Sequence, residues 1–400
     1  MSRLMIMTPP VRGHVNALIG AAEKLIARGD SVEWVTYDLE RHGSTKRLLA
    51  RVPGLTVREL VHAGRQLEPT RAGAGLLAHA DQRLQRMFDG MLHAPRQLQE
   101  PAREAIRESR PDAIAIDPMS YGFIIAASLE QVPFGCLTTF NILAPAHLAC
   151  ERAEWDRALD PARREWFEEN GLAPPRFKNL LYLSPALNTC WTTQEFVGDR
   201  AEVPPATHLV GPSRSDLVAG EGSDGFPWDR LRADRPLIYL SFGTIYYWRP
   251  ELLSTFARAA QELGAQLVLS AQQMDADFLR QLPGDVIALP WIPQRMVLSR
   301  ADAFVTHAST NGITEALDCG VPLFAVPLAS DQPVGAYFVE SAGAGVARAP
   351  EAIDDQVALD GLRQLLEDGR YKAAASRVQQ SFRAHDGAAR AAELLAGLAG

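Results

Sequence analysis

Two polar segments, far apart in the chain, carry residue types that can move a proton and bind an anion. The first is Gly13-His14-Val15-Asn16, which lies between an apolar run and a helical pattern, so that His14 stands at a helix N-terminus. The positive end of a helix dipole favours the neutral imidazole that a general base requires. The same position suits a polar residue that only caps the helix, and the residues alone leave both interpretations open.

An aspartate is expected beside this histidine. The strand predicted over residues 112–117 (DAIAID) ends at Asp117, and parallel strands bring their carboxyl ends to one edge of the sheet. A carboxylate there would fix the tautomer of His14 and stabilise the imidazolium that forms when the ring takes a proton. The alternative is that Asp117 caps the helix predicted near Tyr121. Asp112, at the start of the strand, is the weaker candidate.

The second segment follows a strand predicted at 303–306, which ends at His307. A turn of small residues then leads into a helix that opens near Asn311. A helix N-terminus placed after a strand is an anion-binding site. We therefore expect Thr310, Asn311 and Gly312 to present backbone N–H groups to a diphosphate, with His307 as an additional donor.

Two further positions complete this second segment. Asn311 and Glu315 are four residues apart, which places them on one face of the helix, and a carboxylate can accept hydrogen bonds from both hydroxyls of a ribose. The pair Asp331-Gln332 follows the next predicted strand and so borders the same cleft. An acid next to an amide is suited to binding sugar hydroxyls.

The pattern of short apolar runs and helices occurs twice, before residue 140 and after residue 235. Strands alternating with helices predict an α/β fold with parallel sheets covered on both faces, and 400 residues are too many for one ordinary core. The polar, glycine-rich stretch 213–225 is the predicted linker. The predicted units are a first domain, a linker, a second domain and a terminal helix: 1–212, 213–225, 226–375 and 376–400.

Composition narrows the function classes. The formal net charge is −8 and no strongly basic stretch occurs, so a nucleic-acid partner is not expected. The four cysteines show no metal or disulfide spacing and are expected to be core thiols. Signal-peptide features are absent and no apolar run approaches the roughly 20 residues that span a bilayer, so a cytoplasmic protein without membrane insertion is expected.

These motifs resemble the donor-binding signature of the inverting UDP-glycosyltransferases, a family with the GT-B fold of two Rossmann-like α/β/α domains facing across a cleft. The family includes plant and bacterial enzymes of secondary metabolism, among them macrolide and antibiotic glycosyltransferases. The resemblance covers nearly the whole chain. It rests on the histidine segment at 13–16, Val210-Gly211-Pro212, Leu240-Ser-Phe-Gly-Thr244, Trp291-Ile-Pro-Gln294, and the spacing from His307 to Glu315 and to Asp331-Gln332.

By that resemblance residues 1–212 form the acceptor-binding domain, residues 226–375 form the nucleotide-sugar-binding domain, and the helix at 376–400 crosses back to the first domain. Each motif also has a role. His14 is the general base and Asp117 its partner. Trp291 stacks on the nucleotide base, which suits a flat aromatic face. The sequence departs from the family pattern at two positions. Ser309 stands where the family often has glycine, and Gly312 stands where a hydroxyl residue is common. The donor-binding set that it implies is Thr244, Trp291, Gln294, His307, Ser309, Thr310, Asn311, Gly312, Glu315, Asp331 and Gln332.

The implied reaction is an inverting, metal-independent transfer of a hexose to a hydroxyl of a small apolar natural product. UDP-glucose is the first expectation for the donor and a dTDP-deoxysugar the second; the donor is a co-substrate, and no cofactor is expected. Acceptor contacts are expected from Met87, Phe88, Phe140, Ile142 and Leu143. The rival interpretations are a sugar-nucleotide epimerase on the same fold, an NAD-linked oxidoreductase, and a non-catalytic activator protein.

Two motifs are interpreted as coincidental. Gly220-Glu-Gly-Ser-Asp-Gly225 matches a dinucleotide fingerprint but follows no convincing strand, so we interpret it as linker. Asp275-Ala-Asp277 matches the D-x-D of metal-dependent transferases, but it lies in a polar turn and predicts a helix start.

Overall fold

Two parallel sheets organise the chain. The structure is a computed structural model that describes residues 1–61, 90, 92, 94–148, 150–173, 175–199, 201–243, 249–271 and 274–400. Within these residues the first sheet has the strand order β3-β2-β1-β4-β5-β8-β9. Its strands are β1 (Arg3–Met7), β2 (Ser31–Tyr37), β3 (Thr56–Leu60), β4 (Ala113–Ile116), β5 (Phe134–Thr138), β8 (Asn188–Cys190) and β9 (Thr207–Leu209), with a small antiparallel hairpin of β6 (Phe177–Lys178) and β7 (Leu181–Tyr182) beside it.

The second sheet has the order β12-β11-β10-β13-β14-β15 and is also parallel. Its strands are short, and most of their residues are buried. They are β10 (Leu237–Ser241), β11 (Gln266–Ser270), β12 (Asp285–Leu289), β13 (Ala303–Thr306), β14 (Leu323–Ala325) and β15 (Gly345–Ala347). The predicted α/β fold with two parallel sheets is confirmed.

Helices cover both sheets. Those of the first half and the linker are α1 (Arg12–Ala27), α2 (Gly43–Leu49), α3 (Ala94–Ser109), α4 (Tyr121–Leu129), α5 (Glu151–Glu169), α6 (Gln194–Val197) and α7 (Asp216–Ala219). Those of the second half are α8 (Pro250–Glu262), α9 (Ala276–Arg280), α10 (Gln294–Leu298), α11 (Thr310–Asp318), α12 (Gln332–Ser341), α13 (Asp355–Glu367), α14 (Gly369–Arg383) and α15 (Gly387–Gly397). Short 3₁₀ turns lie at Phe140–Leu143, Ser223–Gly225, Trp228–Arg230 and Pro350–Ala352. No helix within the described residues is both long and apolar enough to span a bilayer.

Each sheet has a point where the direction of strand addition reverses. In the first sheet β1 pairs with β2 on one side and β4 on the other, and in the second sheet β10 lies between β11 and β13. The loops at the carboxyl ends of such strand pairs diverge and leave a crevice, which is where open α/β sheets bind ligands. His14 and Asp117 follow β1 and β4, and His307 follows β13.

Three features differ from the sequence prediction. Helix α1 begins at Arg12, two residues before His14, because its polar first turn, which has no apolar periodicity, closes on the carbonyl of Val11. The linker predicted at 213–225 contains α7 and a 3₁₀ turn. Strands β8 and β9 were not predicted, because three-residue strands that contain polar residues give no apolar signal.

The last helix packs on the first sheet. Ala391, Ala392 and Leu395 of α15 are buried in one apolar cluster with residues of β1 and α1, such as Ile6 and Leu18. Close approach of α1 to the start of the linker depends on Gly20, because a Cβ there would lie 2.3 Å from a backbone carbonyl oxygen of that segment. The two halves of the chain are therefore joined by the linker and by the return of the C-terminal helix.

This packing predicts an effect on stability. Leu395→Ala should lower the free energy of unfolding by about 2–5 kcal/mol, because the side chain is 1% exposed and its loss leaves a cavity. Urea unfolding measures the change. Glu393→Ala on the exposed face of the same helix is the matched control and should stay within about 0.5 kcal/mol of the wild type. Equal losses in the two variants would contradict the packing.

Candidate active site

A histidine and an aspartate meet at the carboxyl edge of the first sheet. Nδ1 of His14 lies 2.6 Å from Oδ2 of Asp117, and the other carboxylate oxygen accepts the backbone N–H of Met119 at 2.9 Å. Because a carboxylate only accepts hydrogen bonds, Nδ1 of the ring carries the proton and Nε2 carries the lone pair. The His14 side chain is 29% exposed and the Asp117 side chain 7%, so solvent and ligands can reach the ring but hardly the carboxylate.

The capping interpretation of Asp117 is only partly right. Its carbonyl and one carboxylate oxygen organise the turn that precedes α4, while the second carboxylate oxygen is committed to His14. Asp112 lies at the opposite edge of the sheet, where it accepts the backbone N–H of Arg3 at 2.7 Å. The two aspartates therefore have different roles. Asp112 binds the backbone near the start of the chain, and Asp117 faces the cleft.

Helix α11 begins directly after the turn that follows β13. Ser309 is its N-cap, and the serine hydroxyl accepts the backbone N–H of Gly312 at 3.4 Å. The cap thus engages the backbone N–H that Gly312 is predicted to present to a diphosphate. The side chain of Asn311 donates a hydrogen bond of 2.8 Å to the carbonyl of Gly13. The first turns of α1 and α11 are therefore in direct contact across the cleft.

His307 is enclosed on one side by the loop after β10. A Cβ at Gly243, whose φ is 76°, would lie 2.7 Å from Cε1 and Nε2 of the His307 ring, so this close approach requires glycine. Burial lowers the pKa of His307 to about 4, although a hydrogen bond to the Ser241 backbone and the charge of Asp331 oppose the shift. The ring is neutral at pH 7. Its Nδ1 is buried with no hydrogen-bond partner among the described residues.

A chain of polar contacts fixes Glu315 on α11. The amide of Gln294 donates to Oε2 of Glu315 at 2.8 Å, and the Tyr239 hydroxyl donates to the amide oxygen of Gln294 at 3.2 Å. Tyr239 in turn stacks on Phe304 with ring centroids 4.9 Å apart. Burial raises the pKa of Glu315, opposed by the hydrogen bond from Gln294. Gln294 thus orients the carboxylate of Glu315. The sequence predicted both residues in the donor site, but it did not predict this contact between them.

Trp291 precedes this chain of contacts and is 45% exposed, which is unusual for so large an apolar side chain.

The predicted sugar-binding pair lies after β14. Asp331 accepts a hydrogen bond from the amide of Asn141, which belongs to the first half. The side-chain amide oxygen Oε1 of Gln332 accepts the backbone N–H groups of Leu328 and Ala329 at 2.7 and 2.9 Å. Gln332 therefore holds the loop that carries Asp331.

The sequence and the fold of the chain are similar to those of known proteins. Residues 228–386 match the family model described as UDP-glucoronosyl and UDP-glucosyl transferase. The chain is similar to the oleandomycin glycosyltransferase of Streptomyces antibioticus, with 28% identity over 96% of this chain and 87% of that protein. It is also similar to the uncharacterized UDP-glucosyltransferase YdhE of Bacillus subtilis (strain 168), with 23% identity over 96% and 95% of the two chains. Among solved structures, the glycotransferase of kitacinnamycin superposes with a TM-score of 0.78, 21% identity and coverage of 100% and 99%.

The chain is a glycosyltransferase with the GT-B fold that acts on nucleotide sugars. The family match lies on the second half, which carries Trp291, His307 and Glu315. The first half holds His14 and Asp117, outside the matched residues.

Six predicted site residues of this glycosyltransferase either lie outside the described residues or are buried in the core. Thr244, Met87 and Phe88 lie outside the described residues. Phe140, Ile142 and Leu143 are at most 1% exposed and pack in a core cluster, so they do not form the open pocket wall that was expected. The reason is that the Phe140 ring contacts Phe196 and, from the second half, Phe338, at centroid distances of 5.3 and 5.7 Å.

Sequence reasoning missed other polar groups of the cleft. Asn141 is buried among apolar neighbours, and its amide oxygen has no partner within the described residues. Its place just after β5, at the same sheet edge as Asp117, was the signal that could have found it. Arg12 and Glu221 form an ion pair between α1 and the linker, and no sequence pattern indicated it. The D-x-D match is a helix cap, as predicted, with Asp275 accepting two N–H groups of α9.

The buried imidazole predicts a pH effect on stability. An unfolded histidine takes up a proton near pH 6.5, whereas folded His307 does so near pH 4, so stability is lost as the pH falls through this window. Between pH 7 and pH 5 the wild type should lose about 2 kcal/mol more than His307→Gln in urea unfolding. His208→Gln, at an exposed position on β9, should follow the wild type. Parallel losses in wild type and His307→Gln would show that His307 titrates normally.

Proposed function

We propose that this glycosyltransferase moves a hexose from UDP-glucose to a hydroxyl of a small apolar natural product, with inversion at the anomeric carbon and without a metal ion. A dTDP-deoxysugar is the second choice of donor. The observation that carries the proposal is the 2.6 Å contact between His14 and Asp117, on a helix turn bonded through Gly13 to the N-terminus of α11. A general base and an anion site therefore face the same space.

The reaction is one displacement. A lone pair of the acceptor oxygen forms the new bond to the anomeric carbon while the bond from that carbon to the diphosphate oxygen breaks. The acceptor proton passes to Nε2 of His14, and Asp117 stabilises the imidazolium through Nδ1. The bonding pair leaves with the nucleoside diphosphate. Because attack comes from the face opposite to the leaving group, the configuration inverts.

The leaving diphosphate is bound at the start of α11. The backbone N–H groups of Thr310 and Asn311 and the positive end of the helix dipole stabilise its charge. The buried, neutral ring of His307 borders this turn and contacts the diphosphate. Thr244 keeps its assignment to the phosphates from the family resemblance alone. Ser309 acts by capping the helix, which leaves this turn accessible. Gly312 has no side chain, so the diphosphate can approach its backbone closely.

The base, the ribose and the sugar of the nucleotide-sugar donor are assigned to side chains by the way these side chains are oriented. The exposed face of Trp291 stacks on the nucleotide base, and Glu315, held by Gln294, accepts the two ribose hydroxyls. Asp331 binds hydroxyls of the donor sugar, on a loop that Gln332 holds. A relative named as a UDP-glucosyltransferase supports UDP-glucose, and one named for oleandomycin supports a small-molecule acceptor.

Removal of the base tests the proposal. His14→Ala and Asp117→Asn should lower kcat by roughly 10²–10⁴-fold with little change in the affinity for UDP, because neither residue is assigned to nucleotide binding. UDP release from UDP-glucose, with a panel of hydroxylated aromatic acceptors, measures the rate, and a parallel series with dTDP-glucose ranks the donors. Asp112→Asn is the matched aspartate control and should keep the wild-type rate.

The rival functions give different results in the same assay. Conversion of the donor sugar in the absence of any acceptor would indicate an epimerase, and binding without turnover by the wild type would indicate an activator protein. Wild-type rates in both dyad variants would remove the proposed general base.

A further inference from the structure

The linker reaches into the cleft between the two halves. After α7 the chain passes through Glu221 and Gly222 before the 3₁₀ turn Ser223–Gly225. Gly222 has φ of 78°, a left-handed conformation that strongly favours glycine. These two adjacent linker residues contact different halves of the candidate site. The linker, which the sequence predicted only as a polar stretch, therefore has a defined position.

Gly222 lies against the edge of Trp291. A Cβ at Gly222 would be 2.6 Å from Cδ1 and 2.7 Å from Nε1 of the indole, which is far inside van der Waals contact. The linker backbone therefore determines where the five-membered ring of Trp291 can lie. Because the side chain remains 45% exposed, this contact leaves indole surface accessible for stacking.

Glu221 forms an ion pair with Arg12, the first residue of α1. The two side chains are 17% and 24% exposed, and Arg12 also donates to the carbonyl of Ser44 at 3.4 Å. Burial lowers the pKa of Arg12, and the nearby charges of Arg47 and Arg51 act in the same direction, while Glu221 opposes them. A cation at the N-terminus of a helix is also disfavoured by the helix dipole. The position of the Arg12 side chain thus depends on the carboxylate of Glu221.

Arg12 stands two residues before His14 in the same helical turn. The residue between them, Gly13, accepts the hydrogen bond from Asn311 of α11. Besides the contacts of Arg12 with Ser44 and of His14 with Asp117 inside the first half, the turn that carries the histidine is therefore held from outside that half by the linker and by the second half. The linker point is continuous with the residue that contacts Trp291.

We propose that Arg12, Glu221 and Gly222 are positioning residues that couple occupation of the nucleotide-base site to the placement of His14. Gly222 sets the ring of Trp291, and Glu221, through Arg12, holds the first turn of α1. This inference rests on the proposed function, because it takes Trp291 as the base platform and His14 as the general base.

Hydrogen exchange with UDP tests the coupling directly. In the wild type, UDP should slow amide exchange at residues 310–313, where the diphosphate binds, and also at residues 13–18 of α1. In Glu221→Gln the protection at 310–313 should remain and the protection at 13–18 should be lost. Glu40→Gln, which breaks an exposed ion pair with Lys46 elsewhere in the first half, is the matched control and should behave as the wild type.

Kinetics separate the two contacts. Glu221→Gln and Arg12→Gln should lower kcat about tenfold and leave the Kd for UDP within about twofold of the wild type. Gly222→Ala should instead raise the Kd for UDP about tenfold, because the new Cβ displaces Trp291. The double variant Arg12→Glu/Glu221→Arg restores the pair with exchanged charges and should recover kcat to within about threefold of the wild type.

The outcomes are distinguishable. Protection at 310–313 without any change at 13–18 in the wild type would overturn the coupling alone, and so would a kcat of Glu221→Gln equal to that of Glu40→Gln. Single and double variants of the Arg12–Glu221 pair with the same low kcat would also overturn it. No protection of any segment by UDP in the wild type would contradict the proposed function on which the coupling rests. Unchanged exchange in the strands of both sheets verifies that each variant is folded.

Discussion

The site depends on the convergence of two helix N-termini. Helix α1 leaves the first sheet and α11 leaves the second, and their first turns meet through the hydrogen bond from Asn311 to the carbonyl of Gly13. Both turns present the positive end of a helix dipole to the same space, an arrangement that an anion between them relieves. One turn carries the proposed base and the other the proposed diphosphate site, so the same contact that closes the cleft sets the distance between the reacting groups.

The parallel sheets produce this convergence. Each reverses strand order at a central pair, β1 with β4 and β10 with β13, and the loops that leave such pairs diverge. The pair in the first sheet brings His14 to Asp117, and the pair in the second brings the loop with Gly243 onto the ring of His307. The joint burial of Phe140 and Phe338 then packs the two halves against each other beside the cleft.

The sequence was sufficient to predict residues whose position follows from one element. His14 lies in the first turn of the helix that follows β1, Asp117 directly follows β4, and Glu315 is one turn from Asn311, so strand and helix periodicity place them. Pairs between distant segments of the chain could not be predicted in this way, because their residues come from elements that are separated in sequence and brought together only by tertiary packing. The contacts of Asn141 with Asp331 and of Arg12 with Glu221 are of this kind.

Local chemistry also had more than one solution. An apolar cluster after a strand can line a pocket or join two halves, and Phe140, Ile142 and Leu143 do the second. A backbone N–H at a helix start can bind an anion or a cap, and that of Gly312 is taken by Ser309. In both cases the residue type was interpreted correctly as apolar or as a donor, but its partner is decided by neighbours that one sequence does not place.

The proposed mechanism requires that the nucleotide diphosphate binds at the start of α11 through backbone and neutral side-chain donors, without a metal ion. Calorimetric titration of the wild type with UDP and with uridine, both in excess EDTA, measures what the diphosphate contributes to affinity. UDP should bind about 100-fold more tightly than uridine under these conditions. Equal affinities of the two ligands, or tight UDP binding only after Mg²⁺ is restored, would contradict it.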